Sequence, residues 1–296
     1  NARYVDIVEN CLYNSILSGI SLDGKRYFYT NPLRISADLP YTLRWPKQRT
    51  EYISCFCCPP NTLRTLCEVQ NYVYTLSDEG VWCNLYGGSE LDTEWMGNHI
   101  QLLQETDYPW DGAVSITLKE VPEKKSLSLF LRVPEWCTKA TLAVNDVPVT
   151  TDLKAGTYAE IKRIWKKGDR VAFVMGMEPV LLESHPLVEE TRNQVAVKRG
   201  PVVYCLESMD VEAGKRIDDI LIPADIKFSP VKTEIAGSRV TVLDGIAHSV
   251  DSDSWEGKLY RKVAENGDRI PIRLIPYYAW GNRGESEMTV WMLLER

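Results

Sequence analysis

Apolar residues recur with helical spacing over residues 3–17, where Val5, Val8, Leu12 and Ile16 form one stripe that Ile7 and Cys11 widen. Gly19 stands where the C-cap of such a helix belongs. Asp23-Gly24 then reads as a tight turn between Ile20 and the aromatic run Tyr27-Phe28-Tyr29, a short hairpin. Pro32, Pro40 and Pro46 predict irregular backbone up to Glu51. A second helical stripe, Leu63, Leu66, Cys67 and Val69, follows Asn61, a residue suited to capping a helix.

The period then changes from helical to alternating. Residues 72–75 and 81–86, joined by the turn Ser77-Asp78-Glu79-Gly80, predict two strands. Further strands are expected at 113–118, 126–133, 140–144 and 170–175, with Asn145-Asp146 and Lys167-Gly168-Asp169 as turns. A later set is expected at 179–183, 194–197, 202–206, 270–275 and 288–292, while 210–267 is polar and turn-rich with no clear register. Short strands at this spacing predict a mainly β fold of antiparallel sandwiches. No internal repeat or low-complexity segment stands out.

Composition narrows the function classes. At 296 residues and 44% hydrophobic content the chain can form two or more cores. A net charge of -7, from 34 basic and 41 acidic residues, offers no basic footprint for nucleic acid. No apolar run approaches the ~20 residues a membrane-spanning helix needs. A soluble protein is expected, its compartment left open between bacterial cytoplasm and periplasm.

Eight cysteines are present, and three of them crowd into Ser54-Cys55-Phe56-Cys57-Cys58-Pro59-Pro60-Asn61. Adjacent cysteines strain a mutual disulfide, but both can turn to one metal. The two prolines fix φ and remove backbone donors, which predicts a stiff, non-helical segment leading into a helix. The positive end of that helix favours thiolate over thiol. Two readings stay open on the residues alone: buried reduced cysteines of a core, or a metal site without the usual two-residue gap of a structural zinc knuckle.

The run Cys-Cys-Pro-Pro-Asn resembles the β-L-arabinofuranosidases of glycoside hydrolase families 127 and 146. So do residues 20–24 and 28–33 before it and residues 198–207 and 275–284 after it. The resemblance implies that Cys57 is both nucleophile and zinc ligand, that Cys58 is a zinc ligand, and that Tyr29 faces the sugar. It implies further zinc ligands from a Glu-x-Cys motif, and a general acid, on an upstream portion of the same polypeptide. The chain opens without methionine and the resemblance starts in mid-pattern, which predicts the C-terminal part of a longer protein.

The implied architecture is mainly β, two β-sandwich domains following the last helices of an (α/α)6 barrel that is mostly absent. Residues 1–61 would be the barrel remnant, 62–74 with 178–296 one sandwich, and 75–177 a sandwich inserted into it. The implied activity is a retaining exo-glycosidase releasing L-arabinofuranose from plant-type glycans, incomplete in this fragment. The alternative is a non-catalytic module that binds carbohydrate, braces the barrel or forms a homodimer. In the binding version Trp82, Trp95, Trp110 and Trp280 would supply an exposed aromatic strip.

Other candidate residues are expected to lie outside the chemistry. Glu9-Asn10-Cys11 mimics the Glu-x-Cys spacing, but positions i and i+2 of a regular helix point about 200° apart. Cys55 could be a spare ligand, though the resemblance gives it no role. His99, His185 and His248 lie far from Cys57 in sequence and take no catalytic part, and the pairs Glu189-Glu190 and Asp218-Asp219 are expected to be solvated.

Overall fold

The computed structural model describes residues 1–37, 44–54, 56–250, 256–262 and 267–296. The chain is mainly β and divides into two compact units, residues 1–12 with 63–178 and residues 13–62 with 179–296.

The first helix α1 (Ala2–Asn10) is capped by the Asn1 side chain, which accepts from the Arg3 N–H at 3.1 Å. It then passes into a π-helical stretch, Cys11–Ile16, in place of the regular helix expected there. Gly19 follows that helix, but no left-handed φ is involved. A Cβ there would stand 3.2 Å from the Ile16 carbonyl oxygen and 3.3 Å from Thr62 Oγ1, so glycine permits a close approach. The second helix α2 (Cys58–Glu68) starts at the cysteine itself, and α3 (Gln70–Val73) takes in Tyr72 and Val73, two residues expected in a strand.

Among the described residues, the first unit holds two sheets. One runs in the order Thr157–Ile164, Ser126–Val133, Gly80–Cys83, Tyr74–Ser77. The other runs Ser89–Trp95, Asn98–Thr106, Ala113–Glu120, Arg170–Met175, Ala140–Val144, Val147–Pro148. Because Tyr74–Ser77 pairs with Gly80–Cys83, residues 63–77 cluster with the strands of this first unit. Alternation is clear in the second sheet, where Ile100, Leu102, Ile116, Leu118, Val171 and Phe173 are fully buried. Strand Ser126–Val133 is instead buried on both faces after its first residue. Phe130 stacks on Trp82 with ring centroids 3.8 Å apart, covering its other side. Gly80 sits so close to the same strand that a Cβ would stand 1.9 Å from the Ser128 carbonyl oxygen.

A buried ion network anchors α1 within this unit. Arg132 has no exposed side-chain surface and bonds both Asp6 and Glu9. Glu9 also accepts from the Tyr108 hydroxyl and from Trp136 Nε1 at 3.2 Å. Burial raises the Asp6 carboxyl above its ordinary value, and the Arg132 charge works against that shift.

Among the described residues, the second unit is built on a ten-stranded sheet. Its order runs from Arg34–Ile35 through Met288–Thr289, Val202–Glu207, Arg269–Pro276, Ser238–Ser249, Ile220–Pro223, Met292–Glu295 and Gln194–Arg199 to Pro179–Leu182, with Ser229–Ile235 paired on Ser238–Ser249. The expected single strand at 288–292 is therefore two, one on each side of Val290-Trp291. Asp219 of the acidic pair expected to be solvated is buried, accepting from the Arg216 N–H, while Asp218 pairs with Arg34.

Removing Arg132 would leave two carboxylates buried without their cation, which costs on the order of 3–5 kcal/mol. Arg132→Met is expected to lower unfolding stability by that amount in a denaturant titration, and a loss under ~1 kcal/mol would contradict the structural weight given to the network.

Candidate active site

The cysteine segment sits at the start of α2. Asn61 does not cap this helix, because its N–H already makes the first intrahelical bond, to the Cys57 carbonyl at 3.0 Å. Cys57 thus holds the capping position and Cys58 the first helical one. The prolines were expected to keep the segment non-helical, yet both fit the first turn. Pro59 and Pro60 stand where N–H groups would otherwise be orphaned, and their fixed φ suits helix entry.

This geometry brings the two sulfurs together. Cys57 Sγ and Cys58 Sγ are 3.5 Å apart, well beyond the ~2.05 Å of a disulfide, and both residues are thiols. Two sulfurs each ~2.3 Å from one tetrahedral zinc stand ~3.8 Å apart, so the pair fits two corners of such a site. Among the described residues no group of three or more His, Cys, Asp or Glu side chains is arranged to hold a metal. Cys55 lies outside the described residues. Cys57 is exposed, and Phe56 and Tyr52 beside it are 91% and 90% exposed.

The residues before the motif are held by a buried cation that sequence reasoning missed. Arg49 donates through Nε and Nη2 to the Ser18 carbonyl, through Nη2 to the Tyr278 carbonyl at 3.0 Å, and through Nη1 to the Trp280 carbonyl. Its guanidinium lies 4.4 Å from the Phe28 ring centroid, and Phe28 stacks on Trp280 at 4.8 Å. Burial pulls its pKa down to about 10, so it remains a cation at neutral pH. Thr50, next in the chain, exchanges backbone hydrogen bonds with Tyr27, which fixes the predicted 20–27 hairpin against the segment leading to the cysteines.

Tyr29 lies just past that hairpin. Its ring stacks on Trp45 at 3.9 Å and 22°, and Arg44 places its guanidinium 5.0 Å from the Trp45 centroid. Tyr29 keeps 37% of its surface exposed, and no hydrogen bond or ring contact joins it to either cysteine among the described residues.

The structure also places the residues expected to lie outside the chemistry. Glu9 is buried with its oxygens taken by Arg132, Tyr108 and Trp136, whereas Cys11 is exposed, in keeping with their opposed directions. His99 pairs with Asp92 and His248 with Glu295. The four tryptophans form no exposed strip: Trp95 and Trp280 are buried, Trp82 is stacked on Phe130, and Trp110 is half-buried.

Sequence profiles of one family cover almost the whole chain. The GH127 catalytic domain of β-L-arabinofuranosidase matches residues 1–71, the GH127 middle domain residues 80–177, and the family 127 C-terminal domain residues 179–293. A curated relative, the non-reducing end β-L-arabinofuranosidase of Bifidobacterium longum, is 31% identical over 302 residues, covering 98% of this chain and 45% of its own length. A solved glycoside hydrolase superposes over 100% of this chain and 49% of its own, with TM-score 0.96 and 66% identity. A GH127 β-L-arabinofuranosidase from Geobacillus stearothermophilus T6 superposes with TM-score 0.89 at 36% identity, covering 100% of this chain and 47% of its own. The chain belongs to glycoside hydrolase family 127. It spans about half the length of the curated relative and of these solved structures.

Thiol exposure gives a direct check. Under native conditions an aromatic disulfide reagent is expected to modify exposed Cys11, Cys57 and Cys67 and to spare Cys83 and Cys205 until the protein unfolds. Burial pushes the Cys83 thiol up to about 12 and raises Cys205 as well. Reaction of either buried thiol in the native protein would contradict the packing described.

Proposed function

We propose that this chain carries the nucleophile-bearing part of a retaining exo-glycosidase that releases L-arabinofuranose from plant-type glycans. The observation that carries the reading is the sulfur pair at the entry of α2, 3.5 Å apart, in a chain of family 127. In this reading residues 1–61 are the closing segment of an (α/α)6 barrel. The upstream portion of the same polypeptide supplies the general acid and the remaining zinc ligands, so the fragment alone is inactive.

Cys57 and Cys58 would hold a zinc ion, which when bound supplies charge that keeps the sulfur as thiolate at neutral pH. Cys57 Sγ attacks the anomeric carbon on the face opposite the leaving oxygen. The carbon–oxygen bond breaks as the carbon–sulfur bond forms, and the general acid gives its proton to the departing glycosidic oxygen, which leaves as a hydroxyl. Water then displaces the sulfur, passing its proton to the group that acted as general acid, which gives free arabinose with retained configuration and restores both the thiolate and the acid. Tyr29, its ring braced by Trp45, offers a hydroxyl and a ring edge to the sugar. Arg49 positions the segment that leads into the cysteines.

In the complete enzyme Cys57→Ser is expected to abolish turnover, since a neutral hydroxyl is a far weaker nucleophile. Tyr29→Ala is expected to raise KM by roughly tenfold, the worth of one sugar contact. Near-normal rates in Cys57→Ser would remove Cys57 from the nucleophile role.

A further inference from the structure

The C-terminal unit carries a concave surface away from the cysteines in sequence, lined by residues 209–212, 227–229, 244–246 and 271–273. A cleft of about 710 Å³ opens along strands Ser238–Ser249 and Arg269–Pro276 and the loop after Val202–Glu207, within the ~300–1,000 Å³ range of small-ligand sites.

Its centre is a transverse polar row. Ser229, Asp244 and Arg273 stand opposite one another on three neighbouring strands. Arg273 donates Nε to Asp244 Oδ1 at 2.7 Å and Nη2 to Oδ2 at 2.8 Å. Among the described residues Arg273 Nη1 and the second lone pair of each Asp244 oxygen make no hydrogen bond, on side chains 43% and 35% exposed. The result is a donor pair and an acceptor pair, side by side and already locked in place, so little rotamer freedom is lost on binding. That pattern complements vicinal hydroxyls, each of which gives one hydrogen bond and takes another. The fork holds the Asp244 carboxyl below its ordinary value and raises Arg273, so both stay ionised across the neutral range.

Apolar surface flanks the row. Met209 and Ile246 are 42% and 43% exposed, enough to pack against the C–H face of a sugar ring. Gly245 lies between Asp244 and Ile246 on the opposite face of the strand, where a Cβ would stand 2.9 Å from the Phe228 ring, so the half-buried aromatic packs closely behind the row and backs it from the far side of the sheet. Acidic Asp210, Glu212 and Asp244 face basic Lys227 and Arg273, which leaves the cleft nearly balanced in charge and poorly suited to a polyanion or a polycation.

We propose that this cleft is a non-catalytic binding site for a neutral oligosaccharide, holding an L-arabinose-containing glycan on the C-terminal sandwich through the Asp244–Arg273 pair. The choice of sugar rests on the function proposed above, while the site itself does not involve the cysteines.

The test uses the complete protein carrying Cys57→Ser, labelled at Met and Ile methyl groups and titrated with a linear arabino-oligosaccharide. The Met209 and Ile246 methyl resonances are expected to shift saturably. Arg273→Ala and Arg273→Lys are each expected to weaken that binding at least about tenfold, because a hydrogen bond to a charged group and the planar fork are lost. The lysine variant keeps the charge and guards against misfolding. Absence of shifts at saturating probe, unchanged affinity in Arg273→Lys, or shifts produced by polygalacturonate in place of the neutral probe would each overturn the proposal. Failure of Cys57 as nucleophile would leave these shifts untouched, so the two readings fail separately.

Discussion

The C-terminal unit depends on one buried guanidinium. Arg49 is 6% exposed and has carbonyls, not a carboxylate, as its acceptors: those of Ser18, Tyr278 and Trp280. A charge taken out of water is tolerated only when its donors are satisfied, and here the Phe28 and Trp280 rings add their faces to the carbonyls. The residue therefore fastens three remote pieces of chain at one point: the end of the first helix, the 20–30 hairpin, and the loop after Arg269–Pro276. The cysteine motif begins only a few residues later, so its approach is fixed by the same clasp.

Below that clasp the motif uses local chemistry. A proline pair would break a helix in its interior but suits the first turn, where its missing N–H groups would find no partners. This lets Cys57 cap α2 while Cys58 begins it, and two consecutive residues at a helix entry can turn their sulfurs toward one point. In the other unit Arg132 plays a comparable part, with carboxylates in place of carbonyls. It joins Asp6 and Glu9 of α1 to the strand Ser126–Val133, which is buried on both faces.

Much of this was legible in the sequence, for reasons of period. Strands 126–133, 140–144 and 170–175 were read with their observed bounds because their apolar runs have no helical spacing. Strands Ser89–Trp95 and Asn98–Thr106 were missed because charged and amide side chains on their outward faces dilute the alternation. Ser229–Ile235 is mostly exposed and so carries little pattern at all. Tyr72 and Val73 favour strands, yet tertiary context makes them helical. The Cys57-Cys58 pair was visible because adjacent cysteines are a rare local signal. Arg49 was not, since its acceptors at 278 and 280 lie more than two hundred residues away and are backbone atoms with no signature of their own.

The most direct test of the account is the metal content of the complete polypeptide, measured for the native sequence and for Cys58→Ser. About one zinc per chain is expected in the first and its loss in the second, because in the proposed site the paired sulfurs would be two of four ligands. Zinc held at the same stoichiometry after Cys58→Ser, or no zinc in either protein, would contradict it.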